Sequence, residues 1–502
     1  MMTNRSVLTI FLYLSALCSM AQEEVSYVKD SLKCCIKEYR SDTVAMVMAV
    51  ADSVRLPVTE DGTLVIPASV TLEGRTYKVK GPATDGFVCH PEIRHLVFSE
   101  GVTNVEWKSF SYCLNLESIH IPTTVTWVAP SSFDGCSNLR SITVEKGNAK
   151  YDSRNNCNAI IETSNNTLVQ GCANTIIPTE IKTIGSSAFE DQQISDSLIL
   201  PQGIKGIGHY AFRGCTGLRH ITLPDSLEFF GTMTFAECTN LQEIFLPEKV
   251  EGISGDVFAD CPNLRRIIVA KGNETYDSRD SCNAIIETDK DCLVVGCRST
   301  TIVEGIKSID SQAFFGSSIT GIHIPASVTQ IGEEAFSDCR FCTSIEVAPG
   351  NPVYNSREGC NAIIETATGT LVQGCGKTTF PSGVKKIGNY AFCGMTMPTN
   401  YVIPEGITSI GEHAFTGCDL RTVRLPSSLQ EIGMSAFSFC NSMESVDMSA
   451  CREVYIGRFV FCYCDSLTHV SLPQKGIYAG SDLFDYTPYQ EVYEREHGDV
   501  GE

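Results

Sequence analysis

Phe212-Arg-Gly-Cys215-Thr-Gly-Leu218-Arg-His-Ile221-Thr-Leu223-Pro224 decides how this 502-residue chain folds. Ile221, Thr222 and Leu223 alternate inward and outward, which is a short strand with one buried side. Pro224 ends it, because proline has no N–H to give to a neighbouring strand. A second apolar pair follows at Leu227 and Phe230, and elsewhere at Val328 and Ile331 or Ile407 and Ile410. Gly208, Gly332, Gly388, Gly411 and Gly433 stand four residues before a Phe, where a sharp bend is expected. Each element is too short to bury its apolar side alone, so the unit needs copies of itself to pack against.

The copies are present. Phe87, Phe110 and Phe133 are 23 apart, as are Phe189, Phe212, Phe235 and Phe258. Steps of 22 to 24 continue through Phe314, Phe336, Phe392, Phe415, Phe437, Phe461 and Phe484, broken by three steps of 56. A fixed period in this range predicts a mostly β solenoid, in which each coil buries its apolar groups against the next.

The shared pattern A-F-x-x-C-x-x-L-x-x-I-x-L-P-x-x-V/L-x-x-I-G resembles the BspA-like bacterial leucine-rich repeat family. The resemblance runs from Gly81 to Phe484 over about fourteen coils. It implies a right-handed, curved stack with a parallel sheet along one side, on exported proteins linked to adhesion or ligand binding. The first coil (Phe87, Cys89) departs from the pattern, and Tyr401 stands where Ile or Val is usual.

Each 56-residue step adds 33 residues to a coil, and these extensions repeat as well. They run from Tyr151 to Cys172, Tyr276 to Cys297 and Tyr354 to Cys375. Ile-Ile-Glu-Thr and a later Leu-Val flank a polar tip in each, which predicts three widened coils carrying β-hairpins. A two-residue loop would set Ile161 opposite Leu168 and Cys157 opposite Cys172. The pairs Cys157/Cys172, Cys282/Cys297 and Cys360/Cys375 are therefore candidate disulfides, with free thiols as the alternative. Most of the 24 cysteines have another reading. Cys113, Cys136, Cys215, Cys238, Cys261, Cys339, Cys418, Cys440 and Cys464 all follow the repeat Phe by three, and form a column of buried thiols. Cys462-x-Cys464 lacks the spacing and second ligand pair of a zinc site.

The ends complete the organisation. Residues 1–21 read as a signal peptide: Arg5, an apolar stretch from Val7 to Leu17, and small residues before Gln22. Cys18 gives a competing lipoprotein reading, opposed by Leu17 where a small residue is expected. Residues 22–80 carry no repeat and read as an N-terminal β cap, residues 81–484 as the solenoid, and 485–502 as a polar, acidic C-terminal cover. No later segment is apolar enough to span a bilayer. The formal charge of −21 opposes nucleic acid or an anionic membrane as partner.

The sequence contains no Walker loop, H-E-x-x-H, G-x-S-x-G or dinucleotide fingerprint. His120, His220, His323 and His469 fall at outward strand positions, too many coils apart to share a metal. No catalytic residue, metal or cofactor is expected. The outward positions of the sheet are the better place for function. Arg219, His220, Gln242, Glu243, Phe245, Arg265, Arg266 and Ile268 combine arginine with exposed apolar groups, the makeup of an interface centre. The expected protein is exported, extracellular or on the cell surface, non-catalytic, and binds a protein or glycan through this face. A periplasmic or surface scaffold is the alternative. A glycan hydrolase is a further rival that needs two carboxyls within about 5–10 Å in one cleft.

Overall fold

The computed structural model describes residues 25–29, 32–39, 42–49, 56–473, 475–478 and 482–497. The signal-peptide reading, with Cys18, and the last five residues of the tail lie outside the described residues. The chain divides into two compact units: Met1–Phe258 with Ala270–Asn273, and Ala259–Val269 with Glu274–Glu502. Both are β-solenoid.

In the first unit, Thr63–Ile66, His95–Phe98, Ser118–Ile121 and Ser141–Val144 stack as a parallel ladder. The ladder thus opens inside the stretch read as the cap. The remainder of that stretch makes a five-stranded sheet in the order Val25–Lys29, Leu32–Tyr39, Asp42–Ala49, Arg75–Pro82, Ser69–Leu72. Its Cys34, Ala45, Val47 and Val79 share one core with Leu64 and Phe87, so the sheet closes the apolar end of the first coil.

The repeat phenylalanines form stacks of near-parallel rings. Centroids are 5.2 Å apart for Phe189–Phe212, 5.4 Å for Phe212–Phe235 and 5.7 Å for Phe235–Phe258. The column thiols bond to backbone carbonyls of the neighbouring coil. Cys136, Cys215 and Cys238 donate to the carbonyls of Phe110, Phe189 and Phe212 at 3.1–3.2 Å, in each case the Phe of the coil before. Burial pushes these thiols well above their ordinary pKa.

The glycines four before each Phe do not make the bend, and none of the five has positive φ. They allow backbone to approach backbone: a Cβ at Gly208 would lie 2.6 Å from the Ser186 nitrogen, and one at Gly332 2.4 Å from that of Ser311. The turning is done by left-handed residues two before and two after the Phe, such as Tyr210 (φ 58), Glu237 (φ 59), Glu334 (φ 57) and Asp338 (φ 58). Few of these are glycine, so sequence pattern alone hides them.

Each widened coil enters the second sheet, made by the V/L-x-x-I segments. In the first unit, Ile160–Glu162 and Thr167–Gln170 pair antiparallel with Ile161 opposite Leu168, as the hairpin reading expects. Thr167–Gln170 then stacks in parallel on Thr183–Ile184, followed by Gly206–Ile207 and Phe229–Phe230. Cys157 does not face Cys172 across this ladder. The register shifts between Ile160 and Ile161, and the chain turns through left-handed Asn155, Asn156 and Asn158 before the strand begins. Gly171 is required because a Cβ there would meet the Phe189 ring at 2.2 Å.

The second unit repeats this plan with two hairpins, Ile285–Glu287 with Cys292–Val295 and Ala362–Glu365 with Thr370–Gly374. Its Phe392, Phe415 and Phe437 rings stack at 4.9 and 5.0 Å. The helix Gln490–His497 and the residue before it place Tyr489 and Tyr493 on Phe484, with centroids 5.1 and 4.9 Å away. Tyr401 packs against Phe392 and Phe415, but its hydroxyl is buried without a hydrogen-bond partner. Tyr401→Phe should therefore raise stability by about 1–3 kcal/mol in a denaturant melt. A loss on that substitution would mean that the hydroxyl is satisfied in solution.

Candidate ligand-binding face

In the first unit, Ser197–Ile199, His220–Thr222 and Glu243–Leu246 run parallel, with Ile199 opposite Thr222 and His220 opposite Glu243. Ile221 and Ile244 point into the core. The same alternation forces Ile199, Thr222 and Phe245 outward in one column, spaced by about 4.8 Å per strand. Ile199 is 74% and Phe245 52% exposed.

Charges beside the column are matched along the ladder. Arg219 lies 3.3 Å from Asp196, and His220 lies 3.8 Å from Glu243. The first ladder of this unit behaves alike: Arg94 pairs with Glu117, and His120 contacts Thr143 at 3.0 Å and Glu145 at 3.6 Å. In the second unit, Arg421 meets Glu444 at 3.1 Å and Arg424 meets Asp447 at 3.7 Å.

Of the residues singled out in the sequence, Arg219, His220, Gln242, Glu243 and Phe245 belong to the first unit. Arg265, Arg266 and Ile268 belong to the second, the arginines exposed and Ile268 half-buried. Ile199 escaped the sequence reading because its coil carries Gln192 in the Cys position and Ile194 one place early. Counting ten residues on from Phe189, as from Phe235 to Phe245, would have found it.

Two other places gather carboxyl groups. Beneath the surface of the first unit, Arg213 reaches Glu190 at 3.1 Å and Glu237 at 2.6 Å, and Ser111 bonds to Asp134. Burial pushes the Asp134 carboxyl up to about 7 and that of Asp191 up to about 8, with Glu190 adding to both. Asp134, Glu190 and Arg213 are buried, and Asp191 and Glu237 are half-buried. In the second unit, a groove of about 500 Å³ is lined by Cys292, Asp310, Gln330, Tyr354 and Glu365 among others. Among the described residues, no group of three or more His, Cys, Asp or Glu could hold a metal, and no helix is long and apolar enough to cross a membrane.

The BspA-type leucine-rich repeat region, in six copies, matches residues 85–167, 165–280, 294–360 and 374–494. The chain belongs to that family. Among solved structures, a leucine-rich repeat protein from Bacteroides ovatus is 20% identical, with 95% of this chain and 98% of that one covered, at a TM-score of 0.34. A leucine-rich cell surface protein from Faecalibacterium prausnitzii is 19% identical, covering 96% and 99%, at 0.34. The pneumococcal vaccine antigen PcpA is 16% identical, covering 89% and 98%, at 0.37. No curated protein matches the chain. The repeat Phe and Cys lie inside the coils while Ile199 and Phe245 are exposed, which directs attention to the column at Ile199, Thr222 and Phe245.

Proposed function

We propose that this BspA-type protein is exported and non-catalytic, and that it binds a protein or glycan partner through the outward side of its sheet, in cell-surface adhesion or ligand recognition. The exposed Ile199–Thr222–Phe245 column carries the reading. Its neighbours Arg219 and His220 already have acidic partners, so what the face offers a ligand is an apolar centre with a polar rim. The same pairing of charges is the observation that favours the second reading, a scaffold without a dedicated ligand.

Two measurements separate them. Protease applied to intact producing cells should clip the chain while a periplasmic control survives. On arrays of glycans and extracellular-matrix proteins, Ile199→Ala with Phe245→Ala should lower the signal tenfold or more at unchanged melting temperature. A clipped chain whose double variant binds as well as the native one would remove the sheet-face site. Protection alongside the control would remove the adhesion reading and leave the scaffold.

A further inference from the structure

The first and third widened coils open alike and then part. The Asn148 side chain accepts from the N–H groups of Lys150 and Tyr151 at 2.9 Å. Asn351 does the same for Val353 and Tyr354 at 2.9 and 2.8 Å. Tyr151 then pairs with Glu162, and Tyr354 with Glu365. Val353 therefore takes the place of Lys150, and Gln330, 24 residues before Tyr354, that of Trp127. In the first coil the Lys150 ammonium lies 3.7 Å from Glu162, with the Trp127 and Tyr151 ring centres 5.4 and 5.5 Å away. In the second, Glu287 takes its cation from Lys290 at the hairpin tip, at 2.7 Å. The third coil has neither source. Val353 ends in methyl groups, and Thr368 stands where Lys290 does, donating to Glu365 at 2.5 Å.

The same coil borders the groove of about 500 Å³ in the second unit. Glu365 lines it from the hairpin and Asp310 from the end of Ser308–Ile309, with Ile309, Ile331 and Val353 as apolar lining. No Lys or Arg is among the lining residues. Asp310 accepts from the Ser311 N–H at 2.9 Å, and Lys290 and Lys307 are engaged by Glu287 and Asp291 at 2.7 and 2.8 Å. Two carboxylates in one groove without a cation favour a ligand that brings positive charge, and the apolar lining favours a hydrocarbon stem between its charges. The first coil shows what the place beside the hairpin Glu accepts: an alkyl ammonium. We infer that the groove binds a linear aliphatic diamine in its doubly protonated form, one ammonium on Glu365, where the sibling coil sets Lys150, and the other on Asp310. The first coil is filled by its own chain and needs no such ligand. This site is separate from the sheet face of the first unit, and its test does not depend on that face.

The test is isothermal titration of the full chain with 1,5-diaminopentane at low salt, where screening is weak. The expected result is one saturable site per chain, weakened tenfold or more in Glu365→Gln and in Asp310→Asn. Val353→Lys should abolish it, because that substitution supplies the ammonium that the first coil carries. Glu346→Gln, at an exposed carboxyl outside the groove, should leave it unchanged. n-Butylamine, the side-chain analogue of lysine, carries one ammonium and should bind tenfold or more weakly. Equal binding of the two amines would assign the site to a single ammonium and overturn the diamine. Absence of a saturable site in the native chain overturns the proposal without recourse to any variant. So do several sites that persist in Val353→Lys and respond to Glu346→Gln as to Glu365→Gln, the behaviour of diffuse attraction to a chain of formal charge −21. Melting curves identify a variant that fails to fold, and the native titration and the amine comparison stand without it.

Discussion

Phe415→Ala should lower the unfolding free energy by about 3–5 kcal/mol. Phe415 is fully buried, with Phe392 4.9 Å away on one side and Phe437 5.0 Å on the other. Truncation removes both ring stacks and leaves a void that backbone hydrogen bonds between coils prevent from collapsing. Because a solenoid is stabilised by contacts between neighbouring coils, the loss should appear first as faster hydrogen exchange in residues 392–437. The exposed Phe245→Ala serves as the control, with an expected effect within about 0.5 kcal/mol. A Phe415→Ala loss as small as that of the control would mean that the ring stack is not what holds these coils together.

The second large effect concerns the largely buried charges of the first unit. Arg213→Gln removes the one cation between Glu190 and Glu237 and should cost about 3–5 kcal/mol near neutral pH. The pH dependence follows from Asp134 and Asp191, whose carboxyls are raised from 3.8 to about 7 and about 8. The folded state holds these protons more tightly than the unfolded chain does. This contribution is therefore fully present below about pH 4, is lost as pH rises through the folded values, and is flat above them. At about 1.4 kcal/mol per pKa unit, the Asp191 burden at pH 8 is on the order of several kcal/mol. Asp191→Asn should flatten the stability curve between pH 4 and 8 and raise the melting point at pH 8. A curve with unchanged slope in Asp191→Asn would show that this carboxyl is ionised and satisfied in the fold.

The period of Phe and Cys made the solenoid legible before any coordinates, because a buried ring and a buried thiol each need a fixed place in every coil. The hairpins were legible from Ile-Ile-Glu-Thr and Leu-Val, down to the pairing of Ile161 with Leu168. What hid was geometry that residue type does not mark. Left-handed turns fall on residues such as Tyr210, Glu334 and Asp338, and the glycines that recur four before a Phe serve close approach instead. Cys157 left the ladder because of a register shift that no spacing announces. On the candidate face, Phe245 was readable from its strand, whereas Ile199 was masked by an irregular coil, and the partners of the arginines depended on the coil next door.

The thiol column has a consequence for how such a chain can change over generations. Each Cys answers to the Phe carbonyl of the preceding coil and asks nothing of coils further away. A gene segment encoding one whole period can therefore be copied or dropped, and every surviving thiol still finds a carbonyl waiting. A cut at any other length strands one. The permitted unit of heredity for this architecture is the cassette from one Phe to the next, and the outward residues each cassette carries travel with it.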